Sequence, residues 1–284
     1  PGESLVLMIG LGMVLIGLLF KVGAVPFHQW VPDVYQGAPT AVTGFMAATV
    51  KIAAFGALLR ILYVAFGGVR WDWEPIIWII ATLTMLVGSI LAVVQSDIKR
   101  MLAYSSVAQA GFILIGVAAA SAAGIASTMF YLIAYGFTTI GAFAIITMVR
   151  DAGGEATNLA TWSGIGRKSP VVASAFAVFM LALAGIPLTS GFVGKFGVFA
   201  AAIEAGMVWL VIVGVVASLI AAFFYVRVIV VMFFAQPTDQ TASVVVPSAF
   251  TTVALAAGAA VTVILGVVPQ PVLDLVTNAD VFIR

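Results

Sequence analysis

Three lysines stand where an ammonium ion is expensive. Lys21, Lys51 and Lys195 each lie inside a run apolar enough to cross a bilayer, and a charged side chain at the bilayer centre costs roughly 2.5–3.5 kcal/mol on insertion scales. Lys51 is the deepest. Ten residues beyond Ala41, at ~1.5 Å each, place it ~15 Å into a ~30 Å hydrocarbon core, too deep for its side chain to reach the interface. Taking an amine out of water disfavours its charged form, so such a group can take up and release a proton when a neighbouring charge moves. That is the property a proton relay requires. Simpler readings stand beside it: Lys21 can extend its amine to the interface, and Lys195 can cap carbonyls freed by a helix break. His28, the only histidine, lies between Lys21 and Lys51 and is either a relay imidazole or a hydrogen-bonded structural residue.

These residues require unusual elements to hold them. Pro26, Pro32 and Pro39 each remove a backbone donor, so the stretch between Lys21 and Lys51 cannot be helix throughout. A second break is expected where Gly185-Ile-Pro187 interrupts a 34-residue run that starts at Ser169, freeing backbone groups that only protein or water can satisfy. Two broken helices, each with a lysine beside the break, have the form of paired half-channels in an inverted repeat. Gln109 and Tyr135 are expected to face the bundle interior, where they either position water or simply bond a neighbouring helix. Asp33 is a candidate partner for a neighbouring Lys or Arg, and Arg227 is expected to snorkel to the surface.

Windows of about 20 apolar residues predict eight spans, from Leu5 to Val268, giving an all-α polytopic transmembrane bundle with two broken helices. An even count puts both ends on one side. Lys99, Arg100, Arg150, Arg167 and Lys168 collect in one set of loops, against Arg70 and Arg284 in the other, which places the first set in the cytoplasm and both termini outside. The loop 150–169 reads as a surface strap, and the closing segment from Pro269 as an amphipathic piece on the outer interface. The Pro-Gly-Glu-Ser start, with no basic stretch and cleavage site ahead of the first apolar run, reads as the start of a piece of a longer chain.

Composition removes several function classes. The 284 residues are 63% hydrophobic and 8% charged, values outside the soluble globular range. A net charge of +1 without basic clusters gives no electrostatic footprint for nucleic acid. With no cysteine and one histidine, disulfides, thiolate metal sites, iron–sulfur ligation and haem are not expected in this chain. Gly191-Phe-Val-Gly194-Lys195 has neither the spacing nor the hydroxyl of a phosphate loop.

Three motifs carry a resemblance. KxxxxPFHxWxPDVYxGAPTxV (Lys21 to Val42), QxDIKRMLAYSSVAxxG (Gln95 to Gly111) and GIPLTSGFxGKFxxF (Gly185 to Phe199), with Lys51 between the first two, closely resemble the antiporter-like proton-translocating subunits of respiratory complex I. The PDVYxGAP form, and lysine at 195 where a sister subunit carries glutamate, narrow the resemblance to one subunit type. It implies that residues 1–284 are a single proton-translocation domain matching helices seven to fourteen of a fourteen-helix subunit: half of an inverted-repeat antiporter-like fold plus flanking helices. It implies membership of a proton-translocating NADH:quinone oxidoreductase in the cell inner membrane, with the K and M subunits as neighbours. FMN, iron–sulfur clusters and quinone would be held by other subunits, and no cofactor or metal by this chain. Lys21, Lys51 and Lys195 match the relay lysines, and the carboxylate that partners Lys21 would lie upstream of this piece. Gln109 stands where the family often has histidine, so the relay between Lys51 and Lys195 is expected to use water or Tyr135. An Mrp-type cation/proton antiporter, which shares the ancestral fold, is the alternative, and a purely structural membrane scaffold the third reading.

Overall fold

The computed structural model describes residues 2–277. Because a bilayer core offers backbone groups no partner, the apolar runs fold as helices that satisfy their own amides and carbonyls. Among the described residues seven are long and apolar enough to cross a membrane: Leu5–Val22, Thr40–Ala65, Gly67–Val93, Ile98–Ala118, Ala122–Met148, Val208–Phe234 and Ala249–Val267. The sixth expected span differs. It is two 15-residue helices, Pro170–Ala184 and Ser190–Glu204, separated by an irregular turn. Counted as one interrupted crossing, the pair makes up the eight spans expected from the sequence.

Helix α1 (Gly2–Val22) ends at the first break, and the short α2 (Trp30–Gly37) follows. The next span is not uniform: α3 (Thr40–Phe45) passes through a π turn, Met46–Val50, into α4 (Lys51–Arg60) and a second π turn. Then come α5 (Arg70–Val93), α6 (Ile98–Ala118) and α7 (Ala122–Met148). Alternation of direction brings the start of α1 and the last described helix, α13, to the same end of the bundle.

Helix α6 is the axis. Every residue from Ile98 to Ala118 except Arg100 and Tyr104 is buried, although α6 is the least apolar of the seven. Helix α11 (Val208–Phe234) is among the most apolar, yet it exposes Val216, Leu219, Phe223 and Val230. Lipid tails are as apolar as leucine, so the outward faces can be wholly hydrophobic while polar residues gather inside, where other helices bond them.

The expected surface strap proves firmly stitched, and it adds a small sheet to an otherwise helical molecule. Strands β1 (Val149–Asp151) and β2 (Gly154–Glu155) form a hairpin that sets Arg150 opposite Glu155, and β3 (Ser243–Val244) pairs on the other side of β1. Ile98 N–H donates to Thr157 O (2.7 Å), and Leu159 N–H to Ser96 O (2.8 Å). Trp162 is buried, donates to Ala156 O at 2.8 Å and packs on Phe176. The short α8 (Ile165–Lys168) leads into α9 (Pro170–Ala184) and α10 (Ser190–Glu204).

At the opposite end, α12 (Ala249–Val267) leads to α13 (Gln270–Thr277). Val276 and Leu273 of α13 pack with Phe130 of α7, so this amphipathic helix covers the start of α7. Arg284 lies outside the described residues.

Candidate functional site

Lys51 opens α4 directly after a π turn, a local widening that changes the direction of everything following it. Its buried ammonium donates to the carbonyl oxygen (2.5 Å) and hydroxyl (2.7 Å) of Ser106 on α6. The same hydroxyl accepts a bond from Tyr135 OH at 2.8 Å and lies 3.4 Å from Tyr35 OH. The ring of Tyr135 lies 5.4 Å from the ammonium nitrogen, giving it an electron-rich face. Neutral oxygens and a π face hold this charge, and the ion pairs among the described residues do not include Lys51.

Lys195 is held by the second break. Gly185 takes a left-handed φ of 85°, and its N–H bonds the carbonyls of Leu181 and Ala182. A side chain there would suffer twice, because a Cβ would also press on Lys195 Cδ at 2.8 Å. Pro187 offers no donor, so the last carbonyls of α9 have no helical partner. Lys195 supplies one, donating to Ala184 O (2.9 Å) and Leu183 O (3.3 Å), with its nitrogen 4.4 Å from the Phe112 ring centroid. The capping geometry considered for Lys195 is therefore realised.

Between the two lysines runs a polar track along α6. Gln109 donates to Leu183 O (2.8 Å) and to Tyr225 OH (3.1 Å) and accepts from Tyr131 OH (2.5 Å). Tyr225 OH lies 2.5 Å from Ser105 Oγ, and Ser105 adjoins Ser106 in the chain. Two hydrogen-bonded groups therefore meet at adjacent residues of α6: Lys51 with Ser106 and Tyr135, and Ser105 through Tyr225, Gln109 and the Leu183 carbonyl to Lys195. A small cavity lined by Ser105, Tyr135, Thr139 and Leu183, with room for about one water, adjoins the middle of the track. The Thr139 hydroxyl is buried without a hydrogen-bond partner.

The structure gathers Lys51, Tyr135, Gln109 and Lys195 and leaves the other two candidates outside this group. Tyr135 sits with Lys51 and has no bond to Gln109, whose hydroxyl partners are Tyr131 and Tyr225. Lys21 is exposed and belongs to none of the ion pairs among the described residues. His28 is half-buried in the first break, and its Nδ1 has no partner. That break is satisfied by other means: Val25 N–H donates to Thr84 Oγ1 (3.0 Å) and the Trp30 indole to Phe20 O (2.9 Å). The sequence reading missed Tyr131 and Tyr225. Tyr131 carried a signal, since it lies four residues before Tyr135 on the same helix face.

Other charged residues do structural work. Arg100 donates to Asp33 (2.6 Å) and Gln36 (3.0 Å), and buried Lys99 to Ala38 O (2.7 Å), while Glu155 takes Lys99 at 3.4 Å and also the Thr40 hydroxyl. Together they fasten the end of α2 to α6 and the hairpin. Arg227 is half-buried and lines an open pocket beside the end of α5. It reaches sideways to the end of α5, donating to Val93 O (2.7 Å) and Gln95 O (2.5 Å). Among the described residues no group of His, Cys, Asp or Glu could hold a metal ion.

The family model described as "NADH:quinone oxidoreductase/Mrp antiporter, TM" matches residues 2–221. The chain is 63% identical over 283 residues to NADH-quinone oxidoreductase subunit N 3 of Streptomyces griseus, covering 100% of this chain and 51% of that one. It is 63% identical over 277 residues to NADH-quinone oxidoreductase subunit N of Rhodococcus opacus, covering 98% and 51%. It thus spans about half the length of these curated relatives. Among solved structures, a chain of respiratory complex I from Thermus thermophilus superposes with a TM-score of 0.80 at 34% identity, over 93% of this chain and 58% of that one. A chain of the Mrp complex from Dietzia superposes with a TM-score of 0.83 at 27% identity, over 97% and 59%.

Proposed function

This chain belongs to the NADH:quinone oxidoreductase/Mrp antiporter transmembrane family, and from that premise we propose that residues 1–284 act as one proton-translocation unit in a membrane-arm subunit of a proton-pumping NADH-quinone oxidoreductase. The observation that carries the reading is the pair of buried lysines at the two ends of one polar track, neither with a carboxylate partner. In this reading Lys51 holds a proton against Ser106 until a neighbouring charge changes, and Lys195 takes it up at the second break. The hydroxyls of Ser106, Ser105 and Tyr225, with water in the adjoining cavity, carry the transfer. Gln109 orients them through its amide, since an amide does not ionise as imidazole does. Lys21 is the entry group and is completed by a carboxylate from outside these residues. His28, in the first break, is a second candidate on that side.

The rest of the assembly is part of the same proposal, supported by relatives named as subunits of an NADH-quinone oxidoreductase. NADH-quinone oxidoreduction belongs to the complex, so flavin, iron–sulfur clusters and quinone are assigned to its other subunits, and neighbours of the K and M type to the membrane arm. The end bearing the sheet and most of the basic residues faces the cytoplasm across the inner membrane, and the α13 end faces out. The Mrp-type antiporter is the second reading, favoured by the superposition on the Dietzia Mrp chain. Co-purification of the full-length protein with a flavin- and iron–sulfur-containing arm separates the two, and its absence would favour the antiporter. A scaffold role is disfavoured by the cost of two buried ammonium groups.

The direct test is Lys51→Ala in the full-length subunit. Proton pumping and coupled quinone reductase activity should fall by about 10²-fold, the lower end for loss of a positioned proton-transfer group, with the complex still assembled. Lys51→Arg should not rescue, because a guanidinium is too basic to release its proton. Undiminished pumping in an assembled Lys51→Ala complex would overturn the reading.

A further inference from the structure

Arg227 is a charge without a counter-charge. Its two carbonyl partners, Val93 and Gln95, use only part of a group that carries five donors. The Nε–H is buried with no acceptor, and none of the ion pairs among the described residues includes Arg227. Carbonyls satisfy donors but do not neutralise a cation, and a half-buried guanidinium without an anion is a costly arrangement.

Arg227 lines an open pocket of about 300 Å³ together with Gln95, Ser96, Asn158, Ser163 and Val231. The pocket has two different walls. On one side lies the polar loop around Ser96 and Ser163, fixed to α11 by a bond from Gly164 N–H to Val231 O (3.1 Å). On the other lies α11, through Arg227 and Val231, and outside the pocket its Phe223, Val226 and Val230 are exposed and apolar. Polar loop meeting lipid-facing helix marks the membrane–water boundary. A planar guanidinium there matches the geometry of a phosphate.

We propose that this pocket binds the phosphate of an anionic membrane lipid, with its acyl chains lying along the Phe223–Val226–Val230 face of α11. A soluble phosphate could answer the charge of Arg227 but would make no use of that apolar strip. The site is separate from the lysine track and does not depend on it.

The test uses the intact complex in detergent, exposed to a photoactivatable phosphatidylglycerol and digested for peptide mapping. Label should appear on residues 223–231 and 94–96, should be displaced by unlabelled phosphatidylglycerol and should persist with phosphatidylcholine. Arg227→Gln should lower it about tenfold, the scale of a lost charge-assisted contact. Because Arg227 also caps α5, Ser96→Phe is the second variant: it fills the pocket, leaves the arginine in place and should lower labelling similarly. Unchanged labelling in Ser96→Phe would overturn the proposal. So would displacement by inorganic phosphate alone, which would make the ligand soluble, and so would a lack of label in the wild-type complex, as when a neighbouring protein covers the pocket.

Discussion

The two helix breaks solve one problem with different chemistry. The first ends a full-length span at Gly23 (φ 79°) and the second interrupts a crossing at Gly185 (φ 85°), each with a proline following, and each frees backbone groups that a membrane cannot satisfy. At the first break uncharged groups take them up: a threonine hydroxyl accepts from Val25 and the Trp30 indole donates to Phe20. At the second, an ammonium and an amide donate to the α9 carbonyls. The nearby lysine at the first break, Lys21, is exposed instead. A break therefore needs no lysine to be stable. The charge at the second break is the feature that backbone accounting alone leaves unexplained, and it lies on the track that leads to Lys51.

The largest effect should come from removing each lysine in turn. Lys195→Met leaves the Ala184 carbonyl buried without its partner, a cost of about 1–3 kcal/mol, and also removes a proton carrier, so thermal stability and pumping should both fall. Lys21→Met removes an exposed amine, so stability should hold while pumping falls. A Lys195→Met complex that loses stability but pumps normally would reduce the second lysine to a cap and erase the difference between the breaks.

Next in size is a matched pair of glycine substitutions. Gly23→Ala and Gly185→Ala both force a side chain into left-handed backbone, at about 1–2 kcal/mol each. A Cβ at Gly23 meets Val31 at 2.8 Å, whereas one at Gly185 meets Lys195 Cδ at 2.8 Å. Melting temperatures should drop by similar amounts, but only Gly185→Ala should slow turnover, by several-fold. Equal slowing by both would mean that the breaks act through general rigidity rather than through Lys195.

How much of this could be read from the sequence follows from the physics of each feature. The breaks were legible because Gly-Ile-Pro and closely spaced prolines act locally, whatever surrounds them. The burial of Lys51 was legible because the run around it is apolar and long enough to cross a bilayer. Its partner was not: α6 is buried on nearly every face and α7 on most, so no periodic pattern shows which side meets which neighbour. Tyr225 was hidden for the same reason, because its bond to Ser105 joins residues 120 apart in the chain. The carbonyl partners of Arg227 were not legible, because they belong to another helix's end. The strap's short strands lay below any alternation signal, β2 and β3 being two residues each.

The hydroxyls on the track give a smaller contrast. At Ser106, Tyr135 and Tyr35 duplicate one another near Lys51, whereas Tyr225 alone joins Ser105 to Gln109. Tyr225→Phe should therefore slow pumping more than Tyr135→Phe, each keeping the ring and its packing. A greater loss with Tyr135→Phe would move the transfer to the Tyr135 side of the cavity, through Thr139.

The smallest effect is expected at Gln109. The amide makes three bonds, donating to Leu183 O and Tyr225 and accepting from Tyr131. A neutral imidazole has one donor and one acceptor, so Gln109→His can keep two of the three and should cost about 1 kcal/mol of stability. Turnover should change by no more than about twofold, since the hydroxyls it orients stay in place. Gln109→Leu keeps the size and loses every bond, leaving Tyr131 OH buried without its acceptor, and should be clearly worse in both readouts. If Gln109→His instead raises the rate well beyond wild type, the amide is a bottleneck that an ionisable ring relieves, and the proton passes through position 109 itself rather than along the hydroxyls beside it.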